Sequence, residues 1–322
     1  MLKLYFLSGV TAFGLSFVFC LFWIPFLRKW NAGQNILSYV KEHKKKNGTP
    51  TMGGIAFVSA AVLTSVLFVG RVVEREVRSS VLCLLIGVAY MIIGLLDDFL
   101  KIRRKENLGL RAWQKLAFQS IVAIFCGIYC YRNGLTELEI PFIGIKQKIN
   151  WWIIPISVFV FLGTVNAVNL TDGLDGLAAG TSIPFFLIFG VLITLQNGDK
   201  GVAVLSFSLV GALLAYLVFN VNPASVFMGD TGSLALGGFA SAISVFTGNA
   251  LYVAVVGACF VASVLSVILQ VAYFKVTGGK RILKMAPIHH HFQQKGYSES
   301  RIAYAYFAIT LILGIICVLF IL

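Results

Sequence analysis

Ten long apolar runs constrain the fold of this chain more than any other feature. A helix needs about 20 mostly apolar residues to cross a bilayer, and hydrophobic residues make up 58% of the chain while charged residues make up only 12%. The runs cover 3–26, 52–70, 80–98, 113–131, 151–168, 177–196, 202–220, 233–248, 250–275 and 301–322. We therefore predict an all-α polytopic membrane protein with ten transmembrane helices, built as a single domain over residues 1–322.

Two segments are expected to differ from a plain spanning helix. The run 250–275 is longer than one crossing requires, so we expect it to tilt or break. Residues 136–148 alternate polar and apolar side chains around Pro141 and Gly144, which predicts a short β-hairpin outside the bilayer.

The basic residues indicate how the spans are oriented. Ten spans place both termini on one side, and the loops on the other side are 27–51, 97–115, 169–176, 221–232 and 275–301. These loops hold most of the 26 lysines and arginines, so the positive-inside rule makes them cytoplasmic and both termini extracytoplasmic. We attribute the net charge of +13 to this orientation and to attraction for anionic head groups or substrates, not to nucleic acid.

Five aspartates lie at the ends of apolar runs, and all fall in the predicted cytoplasmic loops: Asp97, Asp98, Asp172, Asp175 and Asp230. Ionisable groups at such positions are costly, so they are functional candidates. Neighbouring helical residues point about 100° apart, so one of Asp97 and Asp98 can face the bundle interior while the other faces lipid head groups. The alternative for this pair is a solvated helix end, although two acids there oppose the helix dipole.

A second group of polar side chains recurs at every third residue. Its members are Asn166, Asn169, Asp172 and Asp175. Neighbours in this series share a helix face, and the glycines at 173 and 176 are expected to interrupt the helix and let a ligand approach the backbone. Polar contacts between spans are the alternative, but two aspartates favour a binding role.

Asp230 lies between two glycines in the segment 220–233, which joins two spans. An aspartate beside hydroxyl groups suits a hard cation such as Mg²⁺, which is commonly held by one or two carboxylates and phosphate oxygens. Phe227 in the same segment offers a ring for stacking on a base or sugar. The alternative is that Asp230 and Ser233 only cap the next helix.

Residues 46–54 bring Lys46, Thr51 and several glycines to the mouth of the second span. The segment lacks the Gly-Lys-Ser/Thr of a Walker loop, so it is either another kind of phosphate-binding segment or a place where glycines permit close helix packing.

Three consecutive histidines, His289, His290 and His291, follow Ala-Pro-Ile. Consecutive positions match a tetrahedral zinc site poorly, and no cysteine lies near them. Their imidazoles can instead donate hydrogen bonds to a pyrophosphate.

Together these groups suit one kind of chemistry. Acids can hold a divalent cation, lysines and histidines can contact phosphate oxygens, and an aromatic ring can contact a base. Phosphoryl transfer depends mainly on positioning and charge neutralisation. We therefore predict transfer from a cytoplasmic nucleotide-linked donor to a lipid acceptor in the membrane.

The motifs resemble those of the polyprenyl-phosphate N-acetylhexosamine-1-phosphate transferase superfamily, and within it the bacterial phospho-N-acetylmuramoyl-pentapeptide transferases. The resemblance runs through essentially the whole chain. It rests on Gly48–Gly54, Leu96–Phe99, Asn166–Gly176, Asn220–Ser233 and Ala286–Phe292, in this order. The Gly-Thr-Pro-Thr-Met-Gly-Gly and Pro-Ile-His-His-His strings are the most specific for the muramoyl branch.

The resemblance implies a Mg²⁺-dependent reaction of UDP-N-acetylmuramoyl-pentapeptide with undecaprenyl phosphate, which gives lipid I and UMP. It also implies a ten-helix protein of the bacterial cytoplasmic membrane, with its active site on the cytoplasmic face and often a homodimer. A lipid phosphate is mostly dianionic near neutral pH, so we favour direct attack over double displacement.

The resemblance also assigns roles to single residues. Asp230 matches the Mg²⁺ ligand, Asp97 the residue proposed to deprotonate the lipid phosphate, and Asp98 one once proposed as a covalent nucleophile. Asn169, Asp172 and Asp175 match a polar face; Asp175, Asn220, Phe227 and Lys46 match the uridine pocket; Lys101, Lys115, His289, His290 and His291 match phosphate-facing groups.

Two positions depart from the family pattern, since Gln293 stands where Glu is common and Tyr297 where Trp is usual. Two alternatives remain. A sister transferase of UDP-N-acetylglucosamine would lack the Pro-Ile-His-His-His loop. A secondary transporter would place its ionisable residues near the bilayer midplane in paired repeats, whereas here they cluster toward one surface.

Overall fold

The computed structural model describes residues 1–30, 48–70, 77–104 and 108–322, and within them the chain is mostly helical. The helices are α1 (Leu2–Lys29), α2 (Gly54–Val69), α3 (Val77–Arg104), α4 (Ala112–Arg132), α5 (Ile153–Thr171), α6 (Leu177–Leu195), α7 (Lys200–Asn220), α8 (Gly229–Phe246), α9 (Tyr252–Val256), α10 (Ala258–Val276), α11 (Ile288–Gln293) and α12 (Glu299–Leu319). Each of the ten predicted apolar runs lies largely within helix.

Seven helices in these described ranges are long and apolar enough to cross a membrane: α1, α3, α5, α6, α7, α10 and α12. Helix α2 is apolar but shorter. The prediction of a polytopic helical membrane protein is therefore confirmed, and the crossing of all ten runs stays a prediction.

The two irregular segments also form as predicted. Strands β1 (Glu137–Glu139) and β2 (Lys146–Lys148) pair antiparallel, with Glu137 opposite Lys148. The run 250–275 breaks at Gly257, between α9 and α10. A Cβ at Gly257 would lie 2.5 Å from the carbonyl oxygen of Val253, so a side chain would fit at this break only if neighbouring atoms shifted.

The centre of the bundle is formed by α6, α7 and α8. The share of buried residues in the spanning window is 83% for α6 and 67% for α7, but only 28% for α1 and α12 and 22% for α10. Small residues let the central backbones approach closely: a Cβ at Gly237 of α8 would lie 2.5 Å from the Cα of Val165 in α5. The peripheral helices present large apolar side chains outward, as a lipid-facing surface requires.

This packing gathers the loops that carry the aspartates at one end of the bundle. Hydrogen bonds join the C-terminal end of α3 to the first turn of α8, and the C-terminal end of α5 to that same turn. The start of α12 contacts the turn between α5 and α6. The β-hairpin lies at the opposite end, where Glu139 N donates to Gly248 O beyond α8.

Candidate active site

Three carboxylates and two ammonium groups form an aspartate–lysine cluster: Asp97, Asp98 and Lys101 of α3, Lys115 of α4 and Asp230 of α8. The Lys101 Nζ lies 2.6 Å from Asp97 Oδ2 and 3.1 Å from Asp230 Oδ2. The Lys115 Nζ lies 3.2 Å from Asp97 Oδ1 and 2.6 Å from Asp230 Oδ2. Each ammonium group therefore bridges the same two carboxylates, and the cluster keeps one more negative than positive group.

Asp98 occupies a different place in the cluster, because its carboxylate caps α8. Its Oδ1 accepts from Asp230 N at 3.2 Å, and its Oδ2 accepts from Thr231 N at 2.9 Å and Thr231 Oγ1 at 2.7 Å. Helix α8 has no side-chain cap of its own at Met228. Asp98 thus satisfies amides that a helix start leaves free, at the end of the helix dipole where negative charge is stabilised.

Asp230 is the carboxylate of the cluster that a ligand can reach. Its side chain is 16% exposed, against 1% for Asp97 and 0% for Asp98. The expectation that one of the adjacent aspartates faces lipid head groups is therefore wrong. Asn169 Nδ2 donates to Asp230 Oδ1 at 2.9 Å and to Ser233 Oγ at 2.8 Å, which fixes the direction of the Asp230 side chain.

The same carboxylates are suited to hold a metal ion. One oxygen from each of Asp97, Asp98 and Asp230 lies within 4.8 Å of the others. Carboxylate oxygens are the ligands that Mg²⁺ prefers, and the two lysine ammonium groups already drawn to these oxygens show that the cluster attracts cations. The residues therefore fit a divalent metal, with Asp230 as its most accessible ligand.

The glycine-rich segment 48–54 supports the loop that precedes Asp230. Phe227 N donates to Pro50 O at 2.8 Å, Gly53 N to Phe227 O at 2.9 Å, and Gly54 N to Met228 O at 3.1 Å. These two glycine amides are therefore engaged by carbonyl groups. The two backbones also pack closely here, since a Cβ at Gly53 would lie 2.9 Å from Phe227 O, and phosphate binding by the segment stays a prediction.

Two further predicted residues belong to the segment 46–54. Thr51 is buried, and its Oγ1 finds no hydrogen-bond partner in the described part of the chain. That oxygen lies against Gly229, where an added Cβ would approach it to 2.6 Å. Lys46 lies outside the described residues.

Two residues predicted for the uridine pocket make hydrogen bonds that brace the loop 221–228, and their contact with a nucleotide stays a prediction. Asp175 Oδ2 accepts from Asn222 Nδ2 at 3.0 Å and from Ala224 N at 3.1 Å. Asn220 Nδ2 donates to Val226 O at 2.9 Å. Both predicted residues are buried, so their visible contacts shape the loop that presents the half-buried Phe227.

The three histidines have different surroundings. His289 is fully buried, and its burial, followed by the neighbouring His290, lowers the pKa of its imidazole to about 3. His290 is half-buried, with Nε2 only 2.9 Å from where a Cβ of Gly173 would lie. His291 Nδ1 accepts from Lys284 N at 3.1 Å, which ties this ring to the loop before α11. Thus His289 and His290, but not His291, lie against the turn that carries the half-buried Asp172.

Four residues at this end were not predicted from the sequence: Thr231, Asn222, Gln293 and Glu299. Thr231 completes the cap on Asp98, and Asn222 contacts Asp175. Gln293 and Glu299 connect the histidine helix to the turn 172–176. Thr231 and Asn222 lie beside motif residues, and Gln293 stood out as a departure from the family pattern. Glu299 had no local signal.

Comparisons with known proteins show which sequences this chain is similar to. Residues 80–248 match the model of glycosyl transferase family 4, and residues 46–58 match signature 1 of phospho-N-acetylmuramoyl-pentapeptide-transferase. The phospho-N-acetylmuramoyl-pentapeptide-transferase of Listeria monocytogenes serotype 4b is 43% identical over 96% of this chain and 97% of its own length. The proteins of that name from Clostridium novyi and Bacillus subtilis are 45% and 43% identical, over 96% and 91% of this chain and 94% and 90% of their own.

Proposed function

This chain belongs to the phospho-N-acetylmuramoyl-pentapeptide transferase family, and from that membership and the geometry of the site we infer what it catalyses. It is an integral membrane transferase. It moves phospho-N-acetylmuramoyl-pentapeptide from the UDP-linked donor to undecaprenyl phosphate, which gives lipid I and UMP in the first membrane step of peptidoglycan synthesis. The observation that carries this inference is the convergence of three carboxylates, two ammonium groups and Asn169 from four helices.

We propose that the metal of this reaction is Mg²⁺ and that Asp230 is its principal ligand. The Asp230 side chain is accessible and its direction is fixed. Asn169 donates a hydrogen bond to one carboxylate oxygen, and the other oxygen faces Lys101 and Lys115. Bound Mg²⁺ supplies positive charge at the phosphate oxygens of the donor. Asp97 completes the acidic wall of the site and sits between the same two lysines.

The lipid phosphate is proposed to approach Lys101, Lys115 and Asp97. The two ammonium groups neutralise the incoming phosphate and orient it. Asp97 accepts the proton of that phosphate when it arrives as a monoanion, and only orients the two lysines when it arrives as a dianion. Asp98 is assigned a positioning role, since three donors already engage its oxygens and its side chain is 0% exposed. A covalent nucleophile needs a lone pair directed at substrate, so this arrangement favours direct attack by the lipid phosphate.

The donor is proposed to bind along the loops 172–176 and 221–228 and the histidine helix α11. Phe227 contacts the uracil ring, and the braced loop places Asp175 and Asn220 behind it. Asp172, His289 and His290 lie on the path from the base to the cluster, and Thr51 lies beside that path. Lys46, which is outside the described residues, is assigned to the uridine pocket from the family resemblance alone. His291 is assigned no contact with the diphosphate.

The remaining proposals concern the protein in its membrane. Ten helices cross the bacterial cytoplasmic membrane, both termini are extracytoplasmic, and the site opens to the cytoplasm. The orientation rests on the basic loops at the site end. The hairpin is then extracytoplasmic, the chain is one domain, and two copies form a homodimer among membrane lipids.

One assay separates these proposals from their alternatives. Purified protein is given undecaprenyl phosphate, Mg²⁺ and either UDP-N-acetylmuramoyl-pentapeptide or UDP-N-acetylglucosamine, and UMP release is measured. We expect release with the muramoyl donor, loss on chelation and recovery on adding Mg²⁺. Release with the N-acetylglucosamine donor alone would assign the sister reaction. No release with either donor would remove the transferase assignment and leave a transporter to be tested by substrate uptake into vesicles.

A further inference from the structure

One residue joins three helices on the membrane side of the aspartate–lysine cluster. The side-chain oxygen Oε1 of Gln119 in α4 accepts from Asn166 Nδ2 of α5 at 2.8 Å. The backbone oxygen of Gln119 accepts from Tyr90 Oη of α3 at 2.9 Å. Tyr90 and Gln119 are fully buried, and Asn166 is half-buried. We refer to Tyr90, Gln119 and Asn166 as the Gln119 junction.

The direction of the hydrogen bond between the two amides follows from a second contact of Asn166. Its Nδ2 also lies 2.8 Å from Leu162 O, and a backbone oxygen only accepts, so this end of the Asn166 side chain must be the NH₂ group. The part of Gln119 that meets the same NH₂ group is then its carbonyl oxygen. Position 119 therefore needs a side-chain acceptor, and a methionine of similar length offers only a weak one.

The junction lies at a similar depth on all three helices. Asp97 follows the junction residue of α3 by two turns, Lys115 precedes that of α4 by one turn, and Asn169 follows that of α5 by one turn. Helix residues separated by one or two turns lie on nearly the same face. The junction therefore fixes, just inside the bundle, the faces of α3, α4 and α5 that carry residues of the site.

Helix α4 depends on such a contact because it lies at the periphery of the bundle. It packs mainly along α5, while Phe118 and Ile121 on its surface are exposed as a lipid-facing surface requires. At the hairpin end the two helices approach closely, since a Cβ at Gly127 would lie 2.9 Å from the Cα of Ile154. At the site end the position of Lys115 depends on how α4 sits against α5.

We propose that Gln119 is a positioning residue for Lys115. Through the other two members of its junction it holds α4 in the register at which the Lys115 ammonium group reaches both Asp97 and Asp230. That ammonium nitrogen lies 3.2 Å from Asp97 Oδ1 and 2.6 Å from Asp230 Oδ2, so a small shift of α4 breaks one of the two contacts. The inference rests on the proposed function, in which Lys115 receives the phosphate of the lipid acceptor. Loss of the junction should therefore weaken binding of the lipid phosphate more than binding of the UDP-linked donor.

The alternative is that the junction only holds spans together, as polar side chains between membrane helices do. Its loss would then lower stability and leave the binding of both substrates unchanged. Gly127→Ala is the matched control, because it disturbs the same pair of helices at the hairpin end. We expect this control to lower the melting temperature without a change in either KM.

The first test measures binding and needs no turnover. A ligand that binds the folded protein raises its melting temperature, so the rise given by a fixed concentration of undecaprenyl phosphate is measured in detergent. We expect the same rise in wild type and Gly127→Ala, and a smaller rise in Gln119→Met that corresponds to about 3- to 10-fold weaker affinity, the effect of one lost hydrogen bond. The rise given by the UDP-linked donor should be equal in all three proteins. An equal rise with undecaprenyl phosphate in wild type and Gln119→Met would overturn the proposal.

The second test uses kinetics and a double substitution. Gln119→Met and Asn166→Leu should each raise the KM for undecaprenyl phosphate about 3- to 10-fold, with kcat and the KM for the donor within about 2-fold of wild type. Because both substitutions remove the same hydrogen bond, the double variant should bind the lipid no worse than either single variant. Asn166→Leu breaks the bond from α5, so the role of Gln119 is still tested if Gln119→Met fails to fold. Tyr90→Phe should give a smaller rise in the same KM.

The outcomes separate this inference from the proposed function. Equal rises in the two KM values, or additive effects in the double variant, would refute the positioning role of Gln119 while wild-type UMP release still supported the transferase. Absence of wild-type UMP release would instead reject the transferase.

Discussion

The two ends of the bundle bury polar groups in opposite ways. At the hairpin end, Gln196 and Asn249 exchange two amide hydrogen bonds of 3.0 and 2.8 Å. Nearby, Tyr252 Oη donates to Glu139 at 3.2 Å. At the site end, three carboxylates lie within 4.8 Å of one another and share two lysines. At the hairpin end the polar side chains satisfy one another's hydrogen bonds in pairs, whereas at the site end groups of like charge lie close together.

This difference separates structural polar groups from functional ones better than burial alone does. Glu139 is 6% exposed and Asp98 is fully buried, yet only the aspartate belongs to a cluster with surplus negative charge. Gathering like charges costs energy unless a cation neutralises them. The site end therefore has a use for a metal ion that the hairpin end lacks, and substitutions should affect the two ends differently.

The largest expected difference is between two aspartates at helix starts. Asp230→Asn removes the accessible charge of the cluster and should lower turnover about 10²- to 10³-fold, with weaker Mg²⁺ dependence. At the hairpin end, Asp199 caps α7 by accepting from Gly201 N and Val202 N, and asparagine caps nearly as well. Asp199→Asn should therefore retain turnover. Near-normal UMP release by purified Asp230→Asn would show that the metal is held elsewhere.

Asp98 gives the next largest effect, which should appear in stability as well as turnover. Asp98→Asn turns an NH₂ group toward the amides of Asp230 or Thr231, and an unsatisfied buried donor costs about 1–3 kcal/mol. We expect a lower melting temperature in detergent together with lower turnover. Thr231→Val should lose part of this stability and Thr231→Ser little. An inactive Asp98→Asn protein of wild-type stability would instead support the nucleophile role.

The elements that the sequence predicted correctly are those with a local signal. Long apolar runs marked the helices, the excess length of the run 250–275 indicated a tilt or a break, and alternation marked the hairpin. The grouping of Asp97, Asp98 and Asp230 followed from counting spans, because an even number of crossings separates their loops. Counting the spans does not require knowing which side chains are in contact.

The contacts that the sequence could not predict depend on partners far apart in the chain. Helical periodicity gives the direction in which Asp98 points from its helix. It does not predict that the carboxylate oxygens of Asp98 contact the first turn of α8. Asp175 looked like a ligand-binding group, and only the fold shows the loop that it braces. Consecutive histidines share one local pattern, while their burial depends on the turn at Gly173 and the loop before α11.

A smaller effect should appear in the pH dependence of stability. Burial lowers the pKa of the His289 imidazole to about 3 from its usual value of 6.5. Below about pH 6.5 the His289 imidazole therefore binds a proton in the unfolded chain but not in the folded chain. The contribution of His289 to stability is complete above that pH and is lost as the pH falls toward 3. The slope for one such group is about 1.4 kcal/mol per pH unit.

Melting temperatures between neutral and mildly acidic pH check this effect. His289→Gln should flatten the acid side of the curve relative to wild type, whereas His291→Gln should change it less, because that ring is the more exposed of the two. Identical slopes in all three proteins would show that His289 is hydrated or paired in solution.

The smallest expected effect tests the hairpin end directly. Glu139→Gln keeps an acceptor for Tyr252 Oη but replaces a charge-assisted hydrogen bond by a neutral one, and it removes a weak pairing with the exposed Lys146, whose Nζ lies 4.0 Å away. Such changes cost about 0.5–1 kcal/mol. We expect a small drop in melting temperature with unchanged UMP release and unchanged Mg²⁺ dependence, since Glu139 belongs to no carboxylate cluster in the described part of the chain. A change in Mg²⁺ dependence would contradict the contrast, because it would mean that the acidic group at the hairpin end is coupled to the site across the whole length of the bundle.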